Sequence, residues 1–304
     1  MANDAPARGQ RPVQAAALAG IVRRLSGSSE APWLHGEVAR RMAERLELIR
    51  LQPRSVMDWW SFNGASQALL RRAYPQARLQ RVEADQGVLQ RGRQDSDARW
   101  WSLRRWAAAD STTLAPHEVE PAGAELLWAN MMLHLVADPH ALMLQWQRAL
   151  AVDGFLMFSS LGPGSLTGLR EIYARRSWPV PHAPFVDMHD LGDMLVHAGF
   201  ADPVMDQETL TLTWPDAPAL LRELRSLGGN ADPRRATGLR TPRWREQLCA
   251  ELEGLKGPDG RLQLGFEVVY GHAFRAVPKP RIDAQTTVAL DEMRAMVRSP
   301  RRGR

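Results

Sequence analysis

Ser55-Val56-Met57-Asp58-Trp59-Trp60-Ser61-Phe62-Asn63-Gly64 is the stretch whose reading decides the fold. Ser55–Trp59 is a short apolar run that predicts a strand, Ala65–Tyr74 has helical spacing, and Arg78–Val82 predicts a second strand. Strand, helix and strand in quick succession form a βαβ unit, and the pattern repeats downstream in Glu125–Ala129, helical Pro139–Leu150 and Phe155–Ser160. Such alternation predicts an α/β protein with a mostly parallel sheet covered on both faces. Upstream, Val38, Met42, Leu46 and Ile49 share one stripe of a helix over His35–Arg50, which Pro53 ends. Downstream, Leu191–Ala198 reads as a helix stopped at Gly199, Val204–Trp214 as extended chain and Leu264–Ala276 as a late strand. Helical Ala217–Leu227 and Pro242–Leu255 fall between the last two, so residues 216–260 are expected to form a cap inserted between strands.

With 304 residues, 44% of them apolar and 24% charged, the chain can bury a substantial core. The expected organisation is a flexible N-terminal tail over 1–30, one domain over 31–277 and a basic C-terminal tail over 278–304. The formal net charge of +5 sits mostly in that last tail, whose seven basic and three acidic residues leave only +1 for the rest. A nucleic-acid-binding surface needs a basic stripe on the folded domain, so the charge argues against that class. The single cysteine, Cys249, excludes a disulfide framework. Eight histidines without His-x-His or His-x-x-x-His spacing argue against a metal centre. Ala15–Val22 is far too short to span a bilayer and lacks a cleavage site, so cytoplasmic residence is expected. Most of the eleven tryptophans are expected in core and rim packing.

In open parallel sheets the ligand lies beyond the carboxyl ends of the strands, which directs attention to the residues just after each one. Asp58 closes the first strand, Glu83 follows the second, Asp110 a third and Asn130 the fourth. A carboxylate after the second strand suits two adjacent ribose hydroxyls, and Asp110 could pair an exocyclic amine, although either could equally be a solvated surface acid.

Taken in order, several segments resemble class I S-adenosylmethionine (SAM)-dependent methyltransferases, and among them the malonyl-acyl-carrier-protein O-methyltransferases of biotin synthesis. They include Leu34-His35-Gly36-Glu37-Val38, Asn130-Met131-Met132-Leu133-His134-Leu135, Ser159-Ser160-Leu161-Gly162-Pro163-Gly164 and Val268-Val269-Tyr270-Gly271-His272. The resemblance implies a Rossmann-like, seven-stranded fold and methylation of the free carboxylate of a malonyl group on acyl carrier protein. It also implies that Asp58, Gly64, Glu83, Asp110 and Asn130 bind SAM.

One stretch departs from the family pattern. Where the family carries Asp-x-Gly-x-Gly-x-Gly, this chain has Trp60 and Phe62 in place of two glycines and keeps only Gly64. Those two rings are expected to occlude the cofactor site. The segments on the substrate side are intact, so a non-catalytic pseudo-methyltransferase that binds a carrier protein is the competing reading. Between residues 222 and 245 the cap holds Arg222, Arg225, Arg234, Arg235, Arg240, Arg243 and Arg245 against Glu223 and Asp232. Either this face docks the acidic carrier protein or it is simply solvated.

Overall fold

The computed structural model describes residues 10–100 and 111–277. Asp110 and the basic C-terminal tail therefore lie outside the described residues. The chain runs α1 (Ala15–Ser26), α2 (Trp33–Leu46), β1 (Ser55–Trp59), α3 (Ser61–Gly64), α4 (Gln67–Ala73), β2 (Arg78–Val82), α5 (Gln86–Trp100), β3 (Ser111–Leu114) and β4 (Ala124–Ala129). It continues through α6 (Pro139–Ala149), β5 (Leu150–Leu161), α7 (Thr167–Arg175), α8 (Met188–His197), β6 (Phe200–Trp214), α9 (Ala217–Ser226), α10 (Pro242–Glu253) and β7 (Leu262–Arg275).

The seven strands form one sheet in the order β3-β2-β1-β4-β5-β7-β6. β1 to β5 are parallel, while β7 runs antiparallel between β5 and β6. This is the Rossmann-like arrangement implied by the resemblance. Its central strands are apolar on both sides because helices cover both faces. Along β4, Leu126 and Trp128 enter one core with α2, α4, α7, α9 and α10, while Ala124, Leu127 and Ala129 enter the other with α1, α6 and α8. β5 repeats the alternation with Phe155 and Met157 on one face and Leu156 and Phe158 on the other.

Four differences from the sequence reading have local causes. The third strand lies after position 110, at Ser111–Leu114, where it pairs with β2. β5 starts at Leu150, directly off α6, and β6 starts at Phe200 with a register shift between Ala201 and Val204. Residues 15–26 are a packed helix instead of flexible tail. The Ala- and Gly-rich composition hides a stripe of Leu18, Ile21 and Leu25, all buried in the core under α1.

The cap helices lie between β6 and β7. Asp216 caps α9 by accepting from Ala219 N–H at 2.7 Å, and Thr241 caps α10 by accepting from Trp244 N–H at 3.2 Å.

Candidate functional site

The strand ends bring Asp58, Glu83 and Asn130 together, and all three hold the same short segment. Trp60 leaves β1 in the left-handed region, φ 56° and ψ 50°, and residues 61–64 then close into the single turn α3. A glycine adopts that conformation freely, whereas a side chain at φ > 0 is strained. Asp58 is completely buried, and its Oδ2 accepts from Ser61 Oγ at 2.6 Å while Oδ1 has no partner. Glu83 is 6% exposed, and its Oε1 accepts from Phe62 N–H at 2.8 Å. Asn130 is fully buried, with Nδ2 donating to the carbonyls of Gly64 at 2.7 Å and His35 at 2.8 Å, and Oδ1 accepting from Ser159 Oγ at 2.7 Å. Gly64 is tight against that asparagine, since a Cβ there would stand 3.5 Å from Asn130 Cβ and 3.3 Å from Ser66 Oγ.

Burial pushes both carboxyls up, Asp58 to about 7 and Glu83 to about 8, against the weaker pull of their hydrogen bonds and of Arg81. The neighbouring Asp58 and, more weakly, Asp85 add to the shift at Glu83.

The two aromatic rings are closed in. Trp60 is buried in the same core as Leu18, Ile21 and Leu25 of α1. Phe62 is half-buried, with the Arg91 guanidinium 5.5 Å from its ring centroid, and Arg91 also donates to the carbonyl of Ser26 at the end of α1. α1 and α5 are thereby tied across the loop. In this conformation Phe62 N–H occupies Glu83 Oε1, and the Trp60 side chain is packed away in the core at the end of β1.

A separate cavity of about 890 Å³ opens beneath the cap. Its floor is the 3-10 turn Leu133–Leu135 and the end of β5, and its walls come from α1, α7, α9, α10 and residues 181–185. Leu161, Leu166, Leu169, Tyr173, Leu221 and Leu224 make the lumen apolar. Neither Asp58, Glu83 nor Asn130 lines it, so the cap roofs the turn at His134–Leu135 and the end of β5 instead of the carboxylate pair.

The arginines expected to dock a partner divide into two sets. Arg225, Arg240 and Arg245 are exposed and line this cavity, joined by Arg24 from α1, and Arg240 lies 4.4 Å from the Trp244 ring centroid. Arg222 and Arg243 are exposed but away from it. Arg234 is tied to buried Asp232 at 3.0 Å, and Arg235 donates to Gln14 Oε1 and to the Asp232 carbonyl at 3.2 Å. These two brace the cap.

Sequence reasoning missed Arg11, which it placed in the tail, and gave His134 no role. Both are buried and both line the cavity. Neither carries a local signal, because what sets them apart is proximity across more than a hundred residues. Among the described residues no cluster of histidine, cysteine and carboxylate could hold a metal ion.

Comparison with known proteins agrees with this fold. No family model matches the chain. Among solved structures, the YcgJ protein of Bacillus subtilis aligns with a TM-score of 0.52 at 11% identity, over 80% of this chain and 99% of that one. The BH2331 protein of Bacillus halodurans aligns with a TM-score of 0.50 at 11% identity, over 78% and 100%. At that identity the likeness concerns the fold, which is Rossmann-like.

Sequence relatives go further. Malonyl-[acyl-carrier protein] O-methyltransferase of Laribacter hongkongensis is 38% identical over 82% of this chain and 84% of its own length. Proteins of the same name from Gallionella capsiferriformans and Halorhodospira halophila are 35% and 37% identical, covering 88% and 86% of this chain and 92% and 88% of their own lengths. With a seven-stranded sheet of the right order and relatives this similar over most of its length, the chain belongs to the malonyl-[acyl-carrier protein] O-methyltransferase family.

Proposed function

We propose that this chain methylates the free carboxylate of a malonyl group held as a thioester on an acyl carrier protein, as the name of its relatives states of them, with SAM as the methyl donor and a place in biotin synthesis. The observation that supports this reading is the roofed cavity, whose apolar lumen under an arginine rim suits an anionic acyl chain delivered by an acidic partner. A malonyl carboxylate is already ionised near neutral pH, so the chain needs no general base. Its own residues have to bind the thioester arm, hold the carboxylate still and keep water away. SAM supplies an electrophilic methyl group when bound, and loop 60–65 must open before it can be.

The closed loop favours a second reading. Asp58, Glu83 and Asn130 all bind residues 61–64, which suits a pseudo-methyltransferase that holds the carrier protein and transfers nothing. One experiment separates the two: incubation with SAM and malonyl-acyl carrier protein, followed by intact mass measurement of the carrier, beside calorimetric titrations with each ligand. A methylated carrier sustains the first reading. Carrier binding without SAM binding or methylation sustains the second, and absence of carrier binding removes both.

A further inference from the structure

The one buried arginine that lines the roofed cavity has no counter-ion among the described residues. Arg11 is 8% exposed and lies in the segment ahead of α1. Its guanidinium donates from Nη1 to the carbonyls of His134 and Val136, the latter at 3.1 Å, and from Nη2 to that of Pro184 at 2.9 Å. Its backbone N–H donates to Ala137 O at 2.8 Å. That leaves Nε–H and one Nη2 hydrogen undonated, with Nε buried and unpartnered. No carboxylate pairs with Arg11 among the described residues. Carbonyl dipoles solvate a buried guanidinium but do not neutralise it, and burial lowers its pKa to about 10.

His134 lines the same inner wall. It is 7% exposed, and neither ring nitrogen has a partner. Its ring meets Phe185 edge-on at 6.0 Å and His35 at 6.4 Å. Burial and the neighbouring His35 and Arg11 lower its pKa, so it stays neutral and keeps one donor and one acceptor. The other charged groups lining the cavity are Arg24, Arg225, Arg240 and Arg245 against Glu246. Five arginines against one glutamate make the lining favourable to an anionic ligand, and Arg11 is the one buried cation among them.

We infer that Arg11, assisted by His134, recognises the terminal carboxylate of the acyl group and selects a carboxylate-ended thioester over a neutral one. The remaining Arg11 Nη2 hydrogen can take one carboxylate oxygen, and the sealed Nε–H can take the second once the bound ligand shifts the packing over it, which also fixes the oxygen that must act as nucleophile. The inference rests on the malonyl thioester reading above and assigns the discrimination to a residue ahead of the first helix. The competing role for Arg11 is a purely structural tether between residue 11 and the 134–137 turn.

Binding of malonyl-CoA and acetyl-CoA to the full chain, measured by calorimetry without SAM, distinguishes these roles. The parent protein should prefer malonyl-CoA. Arg11→Met should lose that preference by about tenfold or more, the size of one charge-assisted pair, while acetyl-CoA affinity is unchanged. Arg11→Lys, which keeps the charge without the fork, should retain part of the preference. Gln14→Ala removes the acceptor for Arg235 and loosens the same segment, so it should leave the ratio intact. The inference is overturned if Arg11→Met keeps the preference, or if affinity for both thioesters falls together as a lost tether would cause. Should Arg11→Met not melt cooperatively, Arg11→Lys decides, and full retention of the ratio with normal acetyl-CoA binding overturns it. A parent that binds neither thioester overturns this inference, as does a parent that prefers malonyl-CoA beside an Arg11→Met variant that does the same, whereas the functional reading falls only if malonyl-acyl carrier protein is also not bound.

Discussion

Trp60 sits at φ 56° and is 8% exposed, so one residue carries both a backbone cost and a packing gain. The backbone cost is about 1–2 kcal/mol for an L-residue in the left-handed region. Removal of a well-buried tryptophan costs about 3–5 kcal/mol, so packing wins and Trp60→Gly should lower stability in urea despite relieving the backbone. Combined with Phe62→Gly, which removes the ring under Arg91, it should admit SAM in a calorimetric titration. Micromolar SAM binding by the parent would show that the loop opens unaided. Glu83 gives a pH signature. Its folded pKa, about 8, exceeds the ordinary carboxylate value, so the folded state holds a proton that the unfolded chain releases. That contribution is complete below the unfolded value of about 4.5 and is lost as pH rises towards 8, at up to about 1.4 kcal/mol per pH unit. Glu83→Gln still accepts from Phe62 N–H and should flatten the fall in urea stability between pH 6 and 8.5; an unchanged slope would contradict the assignment.

At the scale of elements, α1 and the cap do work that their composition conceals. Leu18, Ile21 and Leu25 put α1 over α3, and Leu25→Ala, at a position 3% exposed, should cost about 2–5 kcal/mol of unfolding free energy in urea. A loss under 1 kcal/mol would mean that α1 is held only at its ends. In the cap, charge reversal at Arg225, Arg240 and Arg245 should weaken carrier-protein binding, with the loss largest at low ionic strength. Arg234→Ala should leave that binding unchanged and lower the melting temperature, because it strips the partner from buried Asp232. The βαβ units were legible because a parallel strand covered on both faces is an unbroken apolar run such as Leu126–Ala129. α1 was not, since an alanine- and glycine-rich helix looks like tail until the surface it packs on is known.

Across the whole molecule, a loop held shut by its own strand-end residues and a cavity that stays open share α1, whose Leu18 and Ile21 pack in one core with Trp60 and also line the cavity. Ligands that bind only the folded state raise the melting temperature in proportion to occupancy. Malonyl-CoA should therefore raise it at concentrations where SAM does not, and equal shifts from both would show that the two regions are equally accessible.

The amino-acid sequence by itself determined the α/β class, the strand ends that carry Asp58, Glu83 and Asn130, and the presence of two rings where the family has bare backbone. These follow from periodicity and from residue volume, which act over a few neighbouring positions. Only the tertiary structure decided that those three side chains hold residues 61–64, that Arg234 and Arg235 brace the cap, and that Arg11 meets His134 and Pro184 at the inner wall of the cavity. The physical reason is separation along the chain: a hydrogen bond acts over about 3 Å, and residues 11, 134 and 184 come that close only once the sheet has ordered its strands.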